Sequence, residues 1–291
     1  MSRIVHIGYP KTATTFLQKE VFPHFQDINY VDFRTCEKLF NHLIYLDDLD
    51  YDHTIVQEGL NEVLKQSDSL FSFEALVGAP FIYKGLGRSR IAQRLKSLGF
   101  DKVIITVRDQ VVMYDSLYRQ YVIQGGVVRF KDFLDMDEKW NLYRRSFNPD
   151  YLFYDRLIAL YQEVFGIANV LVLKHESLQD NKSQYLSKIE SFVDKRIADK
   201  KSNRKVNSSL SNLAISILRV VNHFIFTSQK PNNLISNHLS TRNVSRVFIA
   251  ILDPYLFRFF SSRKSFVDPK MSEYIKEYYA NSNTNTDKLL N

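Results

Sequence analysis

The chain has 291 residues with 45% hydrophobic content, enough to bury a sizeable core, and its charged residues are intermixed with apolar ones, which excludes disorder as the default. Its 39 Lys+Arg against 32 Asp+Glu give a net charge of +7, which favours anionic partners (nucleotides, acidic glycans, nucleic acid or anionic lipid) without choosing among them. A single cysteine, Cys36, excludes an intramolecular disulfide and a cysteine-based zinc site, and it suits a reducing compartment.

The first predicted strand, Arg3 to Ile7, starts directly after Met1-Ser2, so neither a signal peptide nor an upstream anchor is expected. Ile4-Val5-His6-Ile7 is an apolar run closing on Gly8, as in a strand buried on both faces. A turn with Gly8 and Pro10 follows, then a short helix with Phe16, Leu17 and Val21 that Pro23 should stop. Leu70 to Phe73 is a second predicted strand, ending at Glu74, and a basic helix is expected from Ser89 to Leu98. Lys102 to Val107 is the clearest strand and closes on Arg108, with a helix expected from about Val111 to Ile123 before Gly125-Gly126. The helical spacing of Leu157, Leu160, Tyr161, Val164 and Phe165 stops at Gly166, and Val170 to Leu173 gives a further strand.

Strands alternating with helices predict an α/β fold with a mainly parallel sheet. Beyond it, Leu210, Leu213, Ala214, Ile217, Val221, Phe224 and Ile225 predict one face of a long helix, followed by a break near Asn232-Asn233. Val244 to Phe266 is aromatic and basic, and the stretch Asn281 to Thr286 is a polar tail. No run of about 20 uncharged apolar residues occurs. The chain is therefore expected to be cytoplasmic, at most touching the inner face of a membrane.

A strand that ends in a turn and opens a helix aims backbone N–H groups at one point, where the helix dipole adds positive charge. In Gly8-Tyr9-Pro10-Lys11-Thr12-Ala13-Thr14-Thr15, Lys11 adds a full charge and Thr12, Thr14 and Thr15 add hydroxyl donors. That set suits a phosphate; the plain alternative is a threonine-rich helix cap. No Gly-Lys-Ser/Thr is present, so the turn is not a Walker A loop.

The segment resembles the 5′-phosphosulfate loop of sulfotransferases that use PAPS (3′-phosphoadenosine 5′-phosphosulfate), typically Pro-Lys-Ser/Thr-Gly-Thr-Thr after an apolar strand. Ala13 stands at the usual glycine: harmless if the position is helical, weakening if it needs a left-handed backbone. Downstream, Val107-Arg108-Asp109-Gln110 and Ser116 resemble the family's Arg and Ser eight residues apart that grip the 3′-phosphate, with Gln110 replacing the usual proline. The alternative is an Arg108 salt bridge to Asp109, Asp115 or Glu74. Tyr154-Asp155-Arg156-Leu157 and Lys174-His175-Glu176-Ser177-Leu178 are similar to later family segments. Arg204 to Ser211 resembles a loop of bacterial members that would put Arg204 on the nucleotide, although a basic linker reads the same way.

The resemblance implies a P-loop-NTPase-like parallel sheet flanked by helices, forming one sulfotransferase domain (core about 1–211, helical extension about 212–291). It implies transfer of a sulfuryl group from PAPS to a hydroxyl, less readily an amine, releasing PAP. Lys11 is the expected cation at the leaving oxygen, and Lys11, Thr12, Ala13, Thr14, Thr15, Arg108, Ser116 and Arg204 are the cofactor-binding set. No metal is expected. Glu74, at the end of a core strand, resembles the glutamate base of carbohydrate and protein-tyrosine sulfotransferases, with a surface carboxylate or a salt bridge to Arg88 or Arg90 as the alternative and His53 and Glu58 in reserve. The acceptor expected is a carbohydrate or glycolipid, not nucleic acid, with peripheral membrane contact through 244–266. The competing classes are a nucleotide-dependent P-loop kinase and a non-catalytic nucleotide- or membrane-surface-binding protein.

Overall fold

A computed structural model describes residues 1–64, 67–81, 83–136, 146–198, 210–225, 241–257, 260–261 and 264–290. The chain divides into two compact units. One comprises Met1–Asp109, Asp150–Val206 and Tyr279–Asn291, and the other Gln110–Pro149 and Asn207–Tyr278.

The first unit is built on five parallel strands: β1 (Arg3–Gly8), β2 (Asn29–Val31), β3 (Ser69–Ser72), β4 (Lys102–Val107) and β5 (Val170–Lys174). Their order is β2-β3-β1-β4-β5, and every pair is parallel. This is the P-loop-like sheet flanked by helices that the sequence predicts. Ile4, Val5 and Ile7 of β1 and Val103, Ile104 and Ile105 of β4 are buried, as strands covered on both faces require. Val5 sits in register between Phe71 and Val103. Chain direction across the sheet reverses at β1, so the C-terminal ends of β3, β1 and β4 flank a topological switch point.

Helices α1 (Thr14–Phe16), α2 (Phe33–Tyr45), α3 (His53–Val63), α4 (Arg88–Ser97), α7 (Tyr154–Phe165), α8 (His175–Asp180) and α9 (Lys182–Val193) belong to this unit. On one side of the sheet, Leu17, Val21 and Phe22 pack with Ile4, Leu70, Ile104, Leu171, Tyr185 and Ile189. On the other, Phe71 meets Phe40 of α2 and Phe100 edge-on. The run opened by α1 widens to a π-helix at Leu17–Val21 and tightens to a 3-10 turn at Phe22–His24, stopping around Pro23 as expected.

Asn281 to Thr286, expected as a polar tail, is helical. It lies within Pro269–Leu289, whose last part from Tyr279 belongs to the first unit. Asn, Ser and Thr are poor helix formers, and tertiary contacts outweigh that. Tyr279 packs edge-on against Phe153 at 5.1 Å, and Ser282 donates to Asp155. Lys174 pairs with Asp287 at 2.6 Å, and Gln162 donates to the Leu289 carbonyl at 3.0 Å.

The second unit contains α5 (Gln110–Ile123), α6 (Phe130–Phe133), α10 (Asn212–Val221), α11 (Thr241–Val247) and a π-helix, Phe248–Phe257. Its buried centre is the Asp115–Arg119 pair at 2.9 Å, one turn apart on α5. Arg119 also donates to the carbonyls of Leu210 and Lys264, and Asp115 accepts from the Phe266 N–H. The predicted long helix near 210–225 is the ten-residue α10, and its buried face is Ala214, Ile215, Leu218 and, just beyond the helix, Asn222. Leu210, Ala214 and Ile225 of the predicted face are buried, Phe224 points outward, and Asn222, outside that face, is buried and donates to the Val122 and Gly126 carbonyls. The break at Asn232-Asn233 lies outside the described residues.

Along the described part of 244–266, Val247, Ile249, Ile251, Tyr255, Leu256 and Phe260 are exposed, as are Arg246 and Lys264. Arg258, Phe259 and Arg263 of that segment lie outside the described residues. Among the described residues, no helix is long and apolar enough to cross a membrane.

Candidate active site

The turn after β1 is held by the sheet itself. The Tyr9 N–H donates to the Thr106 carbonyl at 3.0 Å, extending the β1–β4 ladder one residue past Gly8. Lys11 and Ala13 then adopt left-handed backbone, with φ of 66° and 65°. Such residues curl the chain in the way that makes backbone anion-binding concavities. Each costs roughly 1–2 kcal/mol without glycine's freedom, and strain of this kind gathers at functional sites. Ala13 therefore occupies the conformation in which the family's glycine is favoured.

The three threonines face different ways. Thr12 is fully buried, and its hydroxyl donates to the Tyr9 carbonyl at 2.6 Å. Thr14 is buried, and its Oγ1 has no hydrogen-bond partner. A buried unsatisfied hydroxyl carries a cost of about 1–3 kcal/mol that a ligand oxygen would relieve. Thr15 is half-buried in α1. Lys11 is exposed.

Arg108 reaches the same turn, its Nη1 donating to the Lys11 carbonyl at 2.9 Å. Its own backbone is fixed from two sides. The Tyr154 hydroxyl donates to the Arg108 carbonyl at 2.8 Å, and the Asp109 N–H donates to Glu176 at 3.0 Å. The Tyr154 and Glu176 segments singled out in the sequence thus act as struts for the Arg108 loop. Ser116 is buried on α5, eight residues further along and within the second unit. Arg204 lies outside the described residues.

Glu74 opens the 3-10 turn Glu74–Val77 beyond β3 and is half-buried. Burial pushes its carboxyl above the ordinary carboxylate range. The Lys11 ammonium opposes that shift, as does the Thr14 hydroxyl, which faces it without reaching full hydrogen-bond geometry. The end of β3 therefore brings Glu74 to the turn. Arg88 and Arg90 have other partners. Arg88 donates to the Tyr151 and Asp150 carbonyls and to the Tyr9 hydroxyl, and Arg90 pairs with Asp47 at 3.2 Å. His53 and Glu58 are exposed on α3, where His53 meets Ser97 at 3.5 Å.

His175 accepts a hydrogen bond at Nε2 from the Gln179 amide at 3.2 Å. Cys36 is fully buried, and burial pushes its thiol up to about 11. Among the described residues, no group of three or more His, Cys, Asp or Glu is placed to hold a metal ion.

A row of buried polar side chains beneath the turn was not singled out in the sequence: Ser72 on β3, His6 on β1 and Thr106 on β4. The signal was present as one polar residue interrupting each of three apolar runs, Leu70-Phe71-Ser72, Ile4-Val5-His6-Ile7 and Ile104-Ile105-Thr106-Val107.

Fold and turn together define a parallel α/β protein whose left-handed turn after β1 meets a strand-end arginine and a strand-end glutamate. The sequence matches no family model and no curated protein. Among solved structures it is similar to a sulfotransferase from Alicyclobacillus acidocaldarius, at 15% identity and TM-score 0.48, over 77% of this chain and 93% of that one. It is also similar to mouse sulfotransferase SULT7A1 complexed with PAP (14%, TM-score 0.47, 99% and 86% covered). A third is the sulfotransferase domain from the curacin biosynthetic pathway (13%, TM-score 0.42, 96% and 97% covered).

Proposed function

We propose that this chain is a PAPS-dependent sulfotransferase that transfers a sulfuryl group to a hydroxyl of a carbohydrate or glycolipid acceptor and releases PAP. The observation that carries this reading is the left-handed Lys11–Ala13 turn with the orphaned Thr14 hydroxyl inside it and Arg108 bonded to its rim. These residues fit a 5′-phosphosulfate: the turn backbone, Thr14 and Thr15 receive the 5′-phosphate, and Arg108 takes the 3′-phosphate that separates PAPS from ATP.

In the reaction, the acceptor oxygen forms a bond to sulfur as the sulfur–oxygen bond to the 5′-phosphate breaks. Lys11 neutralises the charge growing on that departing oxygen, a stabilisation larger in the transition state than before it. Glu74, as carboxylate, takes the proton from the acceptor hydroxyl. Its raised proton affinity makes it a stronger base than an ordinary glutamate, while Lys11 keeps part of it ionised.

The exposed Val247, Ile249, Ile251, Tyr255, Leu256 and Phe260, with the exposed Arg246 and Lys264, support peripheral contact with the inner face of an anionic membrane, where a lipid-linked acceptor would be met. The test of the reading is transfer of radiolabelled sulfate from PAPS across a panel of soluble and lipid-linked glycans. Transfer should occur to at least one acceptor and fall by about 10²–10³ in Lys11→Ala. Transfer unaffected by that substitution would remove Lys11 from the mechanism.

A further inference from the structure

His6 is fully buried in β1, in the layer directly beneath the turn. Its Nδ1 lies 2.7 Å from Ser72 Oγ and its Nε2 3.2 Å from Thr106 Oγ1. Thr106 Oγ1 is in turn 2.7 Å from Thr12 Oγ1. At the far end, Gln18 Nε2 donates to Ser72 Oγ at 3.1 Å and to the Ser72 carbonyl at 3.2 Å.

Counting protons gives this chain a single direction. A carbonyl oxygen can only accept, so the one hydroxyl hydrogen of Thr12 is spent on Tyr9. The Thr12–Thr106 bond must then be donated by Thr106. That spends the hydrogen of Thr106, so the bond between Thr106 and His6 must be donated by His6 Nε2–H. Ser72 Oγ accepts from Gln18 and gives its own hydrogen to His6 Nδ1. Every hydroxyl donates once and accepts once, and the ring is the neutral Nε2–H tautomer. Burial without a charged partner holds the imidazole neutral, its pKa lowered to about 3.

We propose that His6 is a positioning residue: as its Nε2–H tautomer it directs a one-way chain, Gln18 to Ser72 to His6 to Thr106 to Thr12 to Tyr9, that holds the Lys11–Ala13 turn in its anion-receiving shape. Thr12 thereby serves the turn from inside, its hydroxyl committed to the backbone, and Thr14 is left as the turn's buried hydroxyl without a hydrogen-bond partner. The two left-handed residues flank Thr12 and need such a fixed point, because neither is a glycine. A reversed chain, with His6 protonated on Nδ1, would turn the Thr106 hydrogen away from Thr12 and release that fixed point.

The consequence for PAPS binding rests on the proposed function; the tautomer and the chain do not. Imidazole ¹⁵N–¹H correlation spectra of the labelled full chain should show His6 neutral with its proton on Nε2, unchanged from pH 5 to 8. An Nδ1–H tautomer or an imidazolium signal in that range overturns the assignment. Thr106→Val keeps shape and removes the relay hydroxyl. It should weaken PAP binding, measured by calorimetry on folded protein, by about tenfold, and Thr106→Ser should restore it. Equal PAP affinity in wild type and Thr106→Val overturns the positioning role. If Thr106→Val does not fold, Gln18→Leu and Ser72→Ala test the other end: both must shift the His6 Nδ1 resonance, and an unmoved resonance overturns the chain. Wild type that fails to bind PAP while showing the Nε2–H tautomer counts against the sulfotransferase reading alone.

Discussion

Arg108 Nη1 donates to the carbonyl of Lys11 at 2.9 Å, across 97 residues of sequence. The bond joins two strand ends that are neighbours in the sheet, since β1 and β4 pair directly. It makes the arginine both a cation near the turn and a brace for its shape. Arg108→Ala should weaken PAP binding by about ten- to a hundredfold, and AMP binding by much less, because AMP lacks the 3′-phosphate. Calorimetry with both nucleotides checks this, and an equal loss for the two would reduce Arg108 to a brace.

Ala13 has φ of 65° and ψ of 23°. Glycine adopts that conformation without the Cβ penalty, so Ala13→Gly should stabilise the fold by about 1 kcal/mol. It should also tighten PAP binding severalfold by lowering the strain of the receiving state. Thermal unfolding and calorimetry read the two effects. Ala13→Val, adding a β-branch at positive φ, should do the reverse.

Glu74 carries the pH prediction. Burial raises its proton affinity, so its ionisation to the base form is moved to higher pH. The rate of transfer should rise with pH through an apparent pKa above the ordinary 4.5 and then level. Lys11 holds the carboxyl down, so a lysine-to-alanine change should move that limb to higher pH as well as lower its height. Glu74→Gln should cost about 10²–10⁴ in rate.

The stability sign for the same residue is opposite. A carboxyl raised in the folded state binds protons that the unfolded chain releases. Its ionisation therefore costs stability as pH climbs from the unfolded value through the folded one, and the cost remains above it. Glu74→Gln should then be more stable than wild type at pH 7 and no more stable at pH 3, as denaturant unfolding would show.

In the second unit, Asp115 and Arg119 form a buried pair with the Phe266 ring 4.7 Å from the guanidinium. Arg119→Met leaves the carboxylate buried without its cation and should destabilise that unit by about 3–5 kcal/mol. Adding Asp115→Leu should recover a large part of the loss, measurable by denaturant unfolding of the single and double variants.

Four of the five parallel strands were legible as largely apolar runs, whereas β2 (Asn29–Val31) is too short and polar to read as one, and the turn was legible because Lys11 and three threonines follow directly on β1. The helix at Pro269–Leu289 was not legible in its last third. Asn281 to Thr286 has poor helix propensity, and what holds it is Asp155 and Lys174, more than a hundred residues away. The left-handed state of Ala13 was also beyond sequence, since alanine argues against it; it accompanies a turn tied down by the Tyr9–Thr106 ladder bond and the Thr12–Tyr9 bond. His6 was read only as part of an apolar run, and what places it among polar partners beneath the turn is its register opposite Ser72 and its reach to Thr106, which the sequence does not display.

The most direct test of the central claim is calorimetric titration of the full chain with PAP, AMP and ATP under one buffer and salt condition. PAP should bind at least about tenfold more tightly than either of the others, because it alone presents both a 3′-phosphate to Arg108 and a 5′-phosphate to the turn. Equal affinities for the three nucleotides would contradict the sulfotransferase assignment.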